Sequence, residues 1–168
     1  MIIASALRIL TMCVVATVYF SVSLAPAVAG DFAWPLAPKP HVVTPFDRPE
    51  QNWLPGHRGV DLAGEAGRSV LAVADGTVVF AGSVAGKPVV SVDHSGGLRS
   101  TYEPVTASVS AGTRVRRGTV LGVLESGHYS CSSTCLHWGI RRGRDYLDPT
   151  ALVHASPIRL KPLDTPLR

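Results

Sequence analysis

Short runs of β-branched and aliphatic residues, separated by glycine, occupy the chain from Val60 onward. Apolar and polar positions alternate within several runs, which is the pattern of strands that bury one face. Glycines at Asp75-Gly76, Ser95-Gly96-Gly97 and Ala111-Gly112 favour turns, because glycine adopts positive φ angles without steric cost. The pattern predicts an all-β protein, a compact antiparallel β-sheet domain whose single expected helix is short and lies at Pro149 to His154. The apolar runs cover residues 69–73, 76–82, 87–94, 98–102, 114–115, 119–124 and 135–141.

The segment before these runs has a different composition. Six prolines and two tryptophans lie between Asp31 and Pro55 without a period, which is incompatible with a helix and unfavourable for a central strand. We therefore expect a Pro-rich extended arm at 30–52, a β-domain at 53–155 and a C-terminal tail at 156–168. Two tryptophans, Trp34 and Trp53, are expected to fix the arm by packing, with ligand stacking as the alternative.

The first 29 residues have the features of a secretory signal peptide. A lone Arg8 precedes an apolar stretch, and the segment ends on Ala27-Val28-Ala29, which is the small-x-small pattern of a signal peptidase site. The apolar stretch is shorter than the roughly 20 residues of a membrane-spanning helix, so an uncleaved anchor is the less favoured alternative. We expect a secreted protein that meets the membrane only through this segment before cleavage.

Charge and cysteine content narrow the function further. The formal net charge is +4, and the arginine clusters at 114–117 and 141–144 contain no interleaved aromatic residues, which argues against nucleic acid as a partner. Cys13 lies in the predicted signal segment, so the exported chain keeps only Cys131 and Cys135. An even pair outside the cytoplasm predicts a disulfide. A reduced pair, with Cys135 as a metal ligand, is the alternative.

Three residues predict a zinc site. His57 and Asp61 are four positions apart, a spacing that places both side chains on one face of an extended strand. His137, in a later apolar run, supplies a second imidazole. Two imidazoles and one carboxylate leave a fourth tetrahedral position for water, which is the pattern of a catalytic zinc site.

These residues occur in motifs that resemble the lysostaphin-type zinc peptidases, which cut peptides of bacterial peptidoglycan. The motifs are Gly-His-Arg-Gly-Val-Asp-Leu at 56–62 and Leu-His-Trp-Gly-Ile at 136–140. Segments 67–78 and 115–122 also match the family's glycine and valine pattern, and the resemblance extends from about Trp53 to Leu152. It implies the family's β-sheet fold, Zn²⁺ as the cofactor, peptidoglycan peptides as the substrate, and His57, Asp61 and His137 as the ligands. Together with the signal segment, it implies an extracellular location or association with the cell wall of a bacterium.

The chain departs from the family at two catalytic positions. The family has a histidine two residues after a strand tyrosine and another two residues before the last ligand, where this chain has Pro104 and Cys135. Proline has no ionisable group, and a cysteine in a disulfide cannot transfer a proton. We predict His128, in the loop before Cys131, as a substitute acid or base. Glu103 is set aside, because alternation points it away from the face of position 104.

Tyr102 and Trp138 are predicted to contact the substrate. His94 is expected in a hairpin turn, with its imidazole hydrogen-bonded to the backbone. No chemical role is predicted for His94, His41 or His154.

Three functions remain open at this point. The favoured one is a secreted zinc metalloendopeptidase that acts on peptidoglycan peptides. The second is a catalytically inactive module of the same fold that binds peptidoglycan or regulates another cell-wall hydrolase. The third is a carbohydrate-binding β-domain that uses Trp53 and Trp138 as stacking platforms.

Overall fold

Antiparallel strands form nearly all of the regular structure, which confirms the all-β prediction. The computed structural model describes residues 32–127, 131 and 134–153. Its strands are β1 (Val42–Thr44), β2 (Val60–Ala63), β3 (Ser69–Leu71), β4 (Gly76–Val84), β5 (Lys87–His94), β6 (Leu98–Glu103), β7 (Val105–Ala107), β8 (Arg114–Val115), β9 (Val120–Leu124), β10 (Cys135–Arg142) and β11 (Asp145–Leu147). A 3₁₀ turn covers Ser95–Gly97, and α1 covers Pro149–Val153 at the place where a short helix was expected.

The predicted signal segment and C-terminal tail lie outside the described residues and stay predictions, as do the domain boundaries. Within residues 32–127, 131 and 134–153, no helix is both long enough and apolar enough to cross a membrane.

Two antiparallel sheets make up the domain. The larger one has the spatial order β1-β2-β10-β6-β5-β4-β8, with β11 also pairing with β10, and the smaller one has the order β3-β9-β7. One edge of β10 pairs with β2 through residues 135–138 and with β11 through residues 140–142. The other edge of β10 pairs with β6. Strand β10 therefore lies in the interior of the larger sheet, between β2, which carries Asp61, and β6.

The two faces of β10 have different environments. Leu136, Trp138 and Ile140 are at most 1% exposed and belong to the core. His137 and Arg141 project from the opposite face, where Gly139 lies between them. The strand thus joins the hydrophobic core to an open polar surface, and this surface carries the candidate site.

The Pro-rich arm runs in extended form along the domain. Strand β1 is an edge strand that pairs with β2, and backbone hydrogen bonds join Ala33 to Val73 and Leu71 to Pro35. Trp34 packs on the core and contacts Trp138 edge to face, with ring centroids 6.2 Å apart. Trp34 therefore fixes the arm by packing. The same expectation for Trp53 is wrong, because that side chain is 76% exposed.

A buried chain of polar groups crosses the core beneath β5 and β6. The N–H of Val73 donates to the Tyr102 hydroxyl, which lies 2.9 Å from the Ser100 hydroxyl. Ser100 contacts Nε2 of His94, and Nδ1 of His94 lies 2.8 Å from the carbonyl oxygen of Asp75. A carbonyl only accepts, so Nδ1–H of His94 donates to backbone, as the sequence predicted.

Burial shifts the titration of this network. It raises the pKa of Tyr102 to about 12, and it lowers the pKa of His94 below the ordinary histidine value. Both side chains are therefore neutral hydrogen-bonding partners in the folded protein near neutral pH.

Candidate metal centre

The three predicted ligands converge on one point. Nε2 of His57 lies 3.1 Å from Oδ1 of Asp61 and 3.1 Å from Nδ1 of His137. Nδ1 of His137 lies 2.9 Å from the same Asp61 oxygen. The antiparallel pairing of β2 with β10 causes this convergence, because it places Asp61 directly opposite His137.

His57 is positioned by the arm. It precedes β2 and forms an isolated antiparallel bridge with Asp47, with backbone hydrogen bonds of 2.8 and 3.0 Å. Its Nδ1 lies 2.7 Å from the carbonyl oxygen of Pro45, so Nδ1 carries the proton in the neutral ring. Nε2 then presents its lone pair to the other two ligands, and a metal-binding histidine is commonly oriented by such a bond.

The donor set fits zinc. The site offers two imidazole nitrogens and one carboxylate oxygen, all acceptors when the histidines are neutral. Ligands about 2.0–2.1 Å from a tetrahedral zinc lie about 3.3 Å from one another, which is close to the 2.9–3.1 Å separations found here. Asp61 has 0% side-chain exposure, while His57 and His137 have 20% and 19%. The group is thus closed on the protein side and open on one side, as a catalytic site requires.

Gly59 provides the space that His137 occupies. A Cβ atom at position 59 would lie 2.8 Å from Nε2 of His137 and 2.5 Å from the carbonyl oxygen of Trp138. Both distances are shorter than real Cβ contacts, so a side chain here would displace β10 or the His137 ring. Gly59 in the His-Arg-Gly-Val-Asp motif is therefore part of the fit between the two ligand segments.

The two departures from the family's catalytic pattern have clear structural consequences. Cys135 forms a disulfide with Cys131 and is 0% exposed, which confirms the predicted bridge and disagrees with the reduced alternative. Pro104 is also buried. Neither residue presents a proton-transfer group to the metal centre.

Glu103 lies on the same face of the sheet as His137. The pairing of β6 with β10 places these two residues directly opposite each other, and paired side chains project from the same face. Oε1 of Glu103 accepts a hydrogen bond of 2.7 Å from Nζ of Lys87. The sequence analysis excluded Glu103 because its side chain points away from the face on which residue 104 lies. The register between β6 and β10, which places Glu103 opposite His137, is a long-range property that a single sequence does not reveal.

Two predicted substrate contacts are wrong. Tyr102 and Trp138 are both 0% exposed and belong to the core, so neither ring presents a surface to a substrate. The physical reason is strand alternation: Trp138 follows a ligand in sequence and therefore points to the opposite face. The carbohydrate-binding alternative loses one of its two stacking platforms. His128 lies outside the described residues and stays a prediction.

A cleft lies between the 48–53 loop and the β10–β11 hairpin. It has a volume of about 350 Å³ and is lined by residues of the 48–53 loop and by Arg144, Asp145 and Tyr146. Arg58 stabilises this loop by donating hydrogen bonds to the carbonyl oxygens of Asn52 and Leu54. The exposed aromatic side chain of Trp53 lines this cleft, although the sequence predicts that it packs against the domain.

Comparisons with known proteins agree with this geometry. The sequence profile of peptidase family M23 matches residues 55–149. An uncharacterized protein of Mycobacterium tuberculosis is 49% identical over 165 residues, which cover 94% of this chain and 66% of that protein. The DD-carboxypeptidase/endopeptidase Mpg of Neisseria meningitidis is 30% identical over 102 residues, which cover 60% of this chain and 24% of Mpg. The chain thus spans just under two thirds of the mycobacterial relative.

A solved structure shows the same fold. The crystal structure of a putative peptidase M23 from Pseudomonas aeruginosa superposes with a TM-score of 0.57 at 27% identity, covering 77% of this chain and 52% of that one. The profile match covers more than half of the chain and includes the three converging residues. These findings confirm the resemblance drawn from the motifs, and the protein belongs to peptidase family M23.

Proposed function

We propose that this protein is an exported zinc metallopeptidase that acts on the peptides of bacterial peptidoglycan. The observation that carries the proposal is the convergence of His57, Asp61 and His137 within hydrogen-bonding distance of one another. Membership of a family of zinc-dependent cell-wall peptidases supports the choice of metal and substrate. Export is supported by the signal-like sequence of residues 1–29.

The chain's own residues have distinct tasks in this function. Zinc, when bound, polarises the scissile carbonyl and activates water as a nucleophile. Asp61 supplies a buried carboxylate oxygen, and the bond from His57 to Pro45 selects the tautomer of the neutral ring in which Nε2 carries the lone pair for the metal. His137 completes the set from β10, next to the surface on which an extended peptide can lie.

Proton transfer requires another group. Hydrolysis adds water across the peptide C–N bond, so a proton taken from the attacking water must reach the leaving amine nitrogen. Pro104 and the disulfide-bonded Cys135 cannot transfer it. Glu103 is a carboxylate on the same face of the sheet as His137, and we assign the proton transfer to it. His128, which the sequence predicts for this task, lies outside the described residues.

A second function has a specific observation in its favour. Both positions at which the family carries catalytic histidines hold buried, non-titrating residues here. Loss of one positioned proton-transfer group typically lowers a rate about 10²- to 10⁴-fold. A protein without a replacement would bind peptidoglycan peptides without cutting them, or would regulate another cell-wall hydrolase.

Digestion of purified peptidoglycan separates the two functions. The zinc-loaded chain from Gly30 onward is incubated with the wall, and newly released amino groups are counted. A peptidase releases them, and chelation or His57→Ala abolishes the release. Metal-dependent wall binding without release identifies the non-catalytic module, whereas neither binding nor release contradicts both functions. His41→Ala, in an exposed position of the arm, is the matched control.

A further inference from the structure

A cleft of about 210 Å³ runs from the metal centre along the sheet. Its floor is the open face of β10, where His137, Gly139 and Arg141 succeed one another, and Arg99 and Thr101 of β6 form one wall. Pockets for drug-sized ligands begin at about 300 Å³. The cleft therefore has room for a small part of a substrate, such as one residue of a peptide.

The far end of the cleft is cationic. Arg99 and Arg141 are directly opposite each other in the β6–β10 pairing, and like charges in this position repel. Arg99 is offset by Asp93 of β5, to which it donates two hydrogen bonds, one of them 2.8 Å long. The Arg99 guanidinium accordingly lowers the pKa of the Asp93 carboxyl group.

Arg141 has weaker compensation among the described residues, because it acts on Asp93 only through its charge, which also lowers the pKa of the Asp93 carboxyl group. It donates to the neutral carbonyl oxygen of Gly143, and no described carboxylate lies within ion-pair distance of it. Glu103 is the one carboxylate among the described residues that line the cleft, and it lies at the metal end in an ion pair with Lys87. The cleft thus has an excess of positive charge at the end away from the metal centre.

This arrangement is suited to a carboxylate on an extended peptide. A guanidinium presents five N–H donors in a planar fork that matches a carboxylate. His137 and Arg141 are four positions apart, about 13 Å along β10, and the long arginine side chains can shorten this span. Gly139, between them, has no side chain to obstruct a peptide backbone.

We propose that Arg141, assisted by Arg99, binds a carboxylate of the substrate peptide while His57, Asp61 and His137 hold the metal at its scissile or recognised carbonyl. The inference rests on the proposed function for the identity of the ligand. It makes the protein selective for peptidoglycan stem peptides with a free carboxylate a few residues from the metal centre.

Calorimetric titration with soluble stem peptides tests this inference. The probes are the peptide acid, the same peptide amidated at its C-terminus, and the same peptide amidated at its side-chain carboxyl group. We expect one of the two amidations, which identifies the bound carboxylate, to weaken binding to the zinc-loaded protein about 10- to 100-fold. Arg141→Gln weakens binding of the acid by a similar factor and leaves binding of that amide unchanged.

Two further variants separate recognition from folding. Arg141→Lys keeps the charge without the fork and recovers part of the affinity. Arg142→Gln, the neighbouring exposed arginine that alternation directs to the other face, binds like the wild type. Equal affinity for the acid and both amides, an equal loss for all three peptides in Arg141→Gln, or no measurable binding of the acid overturns the inference.

Zinc content and wall digestion are measured on the same preparations. A zinc-loaded, active protein that binds acid and amides equally contradicts the carboxylate site alone. A protein without zinc or wall activity that still binds the acid through Arg141 contradicts the proposed function and leaves the carboxylate site standing.

Discussion

Glu103 lies directly opposite His137 in the pairing of β6 with β10, so a carboxylate and a candidate zinc ligand share one open face of the sheet. This relationship leads to the first prediction. Glu103→Gln removes the proton acceptor and keeps a hydrogen-bond acceptor for Lys87. We expect hydrolysis of peptidoglycan to fall about 10²- to 10⁴-fold while zinc content stays at the wild-type level. Rates of amino-group release and elemental analysis on the same sample measure the two quantities.

The matched control for Glu103 is Glu65→Gln, at an exposed position outside the cleft. This variant should hydrolyse the wall at the wild-type rate. Full activity in Glu103→Gln would show that another group transfers the proton, and His128→Ala would then be the variant to measure.

The second prediction concerns the fit between β10 and the first ligand segment. In Gly59→Ala, the added methyl group meets Nε2 of His137 at 2.8 Å and the Trp138 carbonyl oxygen at 2.5 Å. Displacement of a group that orients a ligand lowers metal affinity about 10- to 100-fold, and we expect a loss of this size in a competitive zinc titration. Gly82→Ala is the control, because its nearest contact is the exposed ring of Phe80 at 3.2 Å. Equal zinc affinity in both variants would contradict the tight fit.

The third prediction concerns the disulfide between Cys131 and Cys135. The bridge closes a loop with a sequence separation of 4, for which the chain-entropy relation predicts a stabilisation of about 2 kcal/mol. Urea unfolding of the oxidised protein and of Cys131→Ala should differ by about this free energy. Zinc affinity should fall or stay equal when the bridge is removed. An increase in zinc affinity would instead identify a reduced Cys135 as a ligand.

The fourth prediction is a pH dependence of stability that arises from His94. Burial lowers the pKa of His94 in the folded protein, whereas the unfolded chain binds a proton near pH 6.5. The unfolded state therefore holds more protons below about pH 6.5, and the free energy of unfolding falls as the pH decreases, by at most about 1.4 kcal/mol per pH unit. The loss ends below the folded-state pKa, and above about pH 7 this group contributes no slope.

His94→Asn tests this dependence, because asparagine can still donate to the Asp75 carbonyl and does not titrate. Urea unfolding between about pH 5 and pH 8 should give a shallower pH slope for the variant than for the wild type. Parallel slopes would mean that His94 does not control the acid sensitivity of the fold.

Much of the fold could be predicted from local pattern. Alternating apolar runs predicted the strands, and proline-rich composition predicted the extended arm, because both depend on backbone geometry that neighbouring residues determine. The ligand set could also be predicted, since His57 and Asp61 are close in sequence. The motif around His137 identified the third member, and the β2–β10 pairing brings all three together.

The errors concern side-chain direction and strand pairing. Trp138 was predicted to contact the substrate, although it follows a ligand in sequence and neighbours on a strand point to opposite faces. Glu103 was compared with Pro104 rather than with His137, because the β6–β10 register is not visible in a single sequence. Arg99 and Arg141 are far apart in the chain, and the same register brings them into one cleft.

Zinc content of the oxidised protein from Gly30 onward tests the central claim most directly. Elemental analysis is performed on the wild type, His57→Ala, His137→Ala and the exposed control His41→Ala. The account predicts about one zinc per chain in the wild type and in His41→Ala, and its loss from the other two variants. Folded wild-type protein without zinc, or zinc retained in both His57→Ala and His137→Ala, would contradict it.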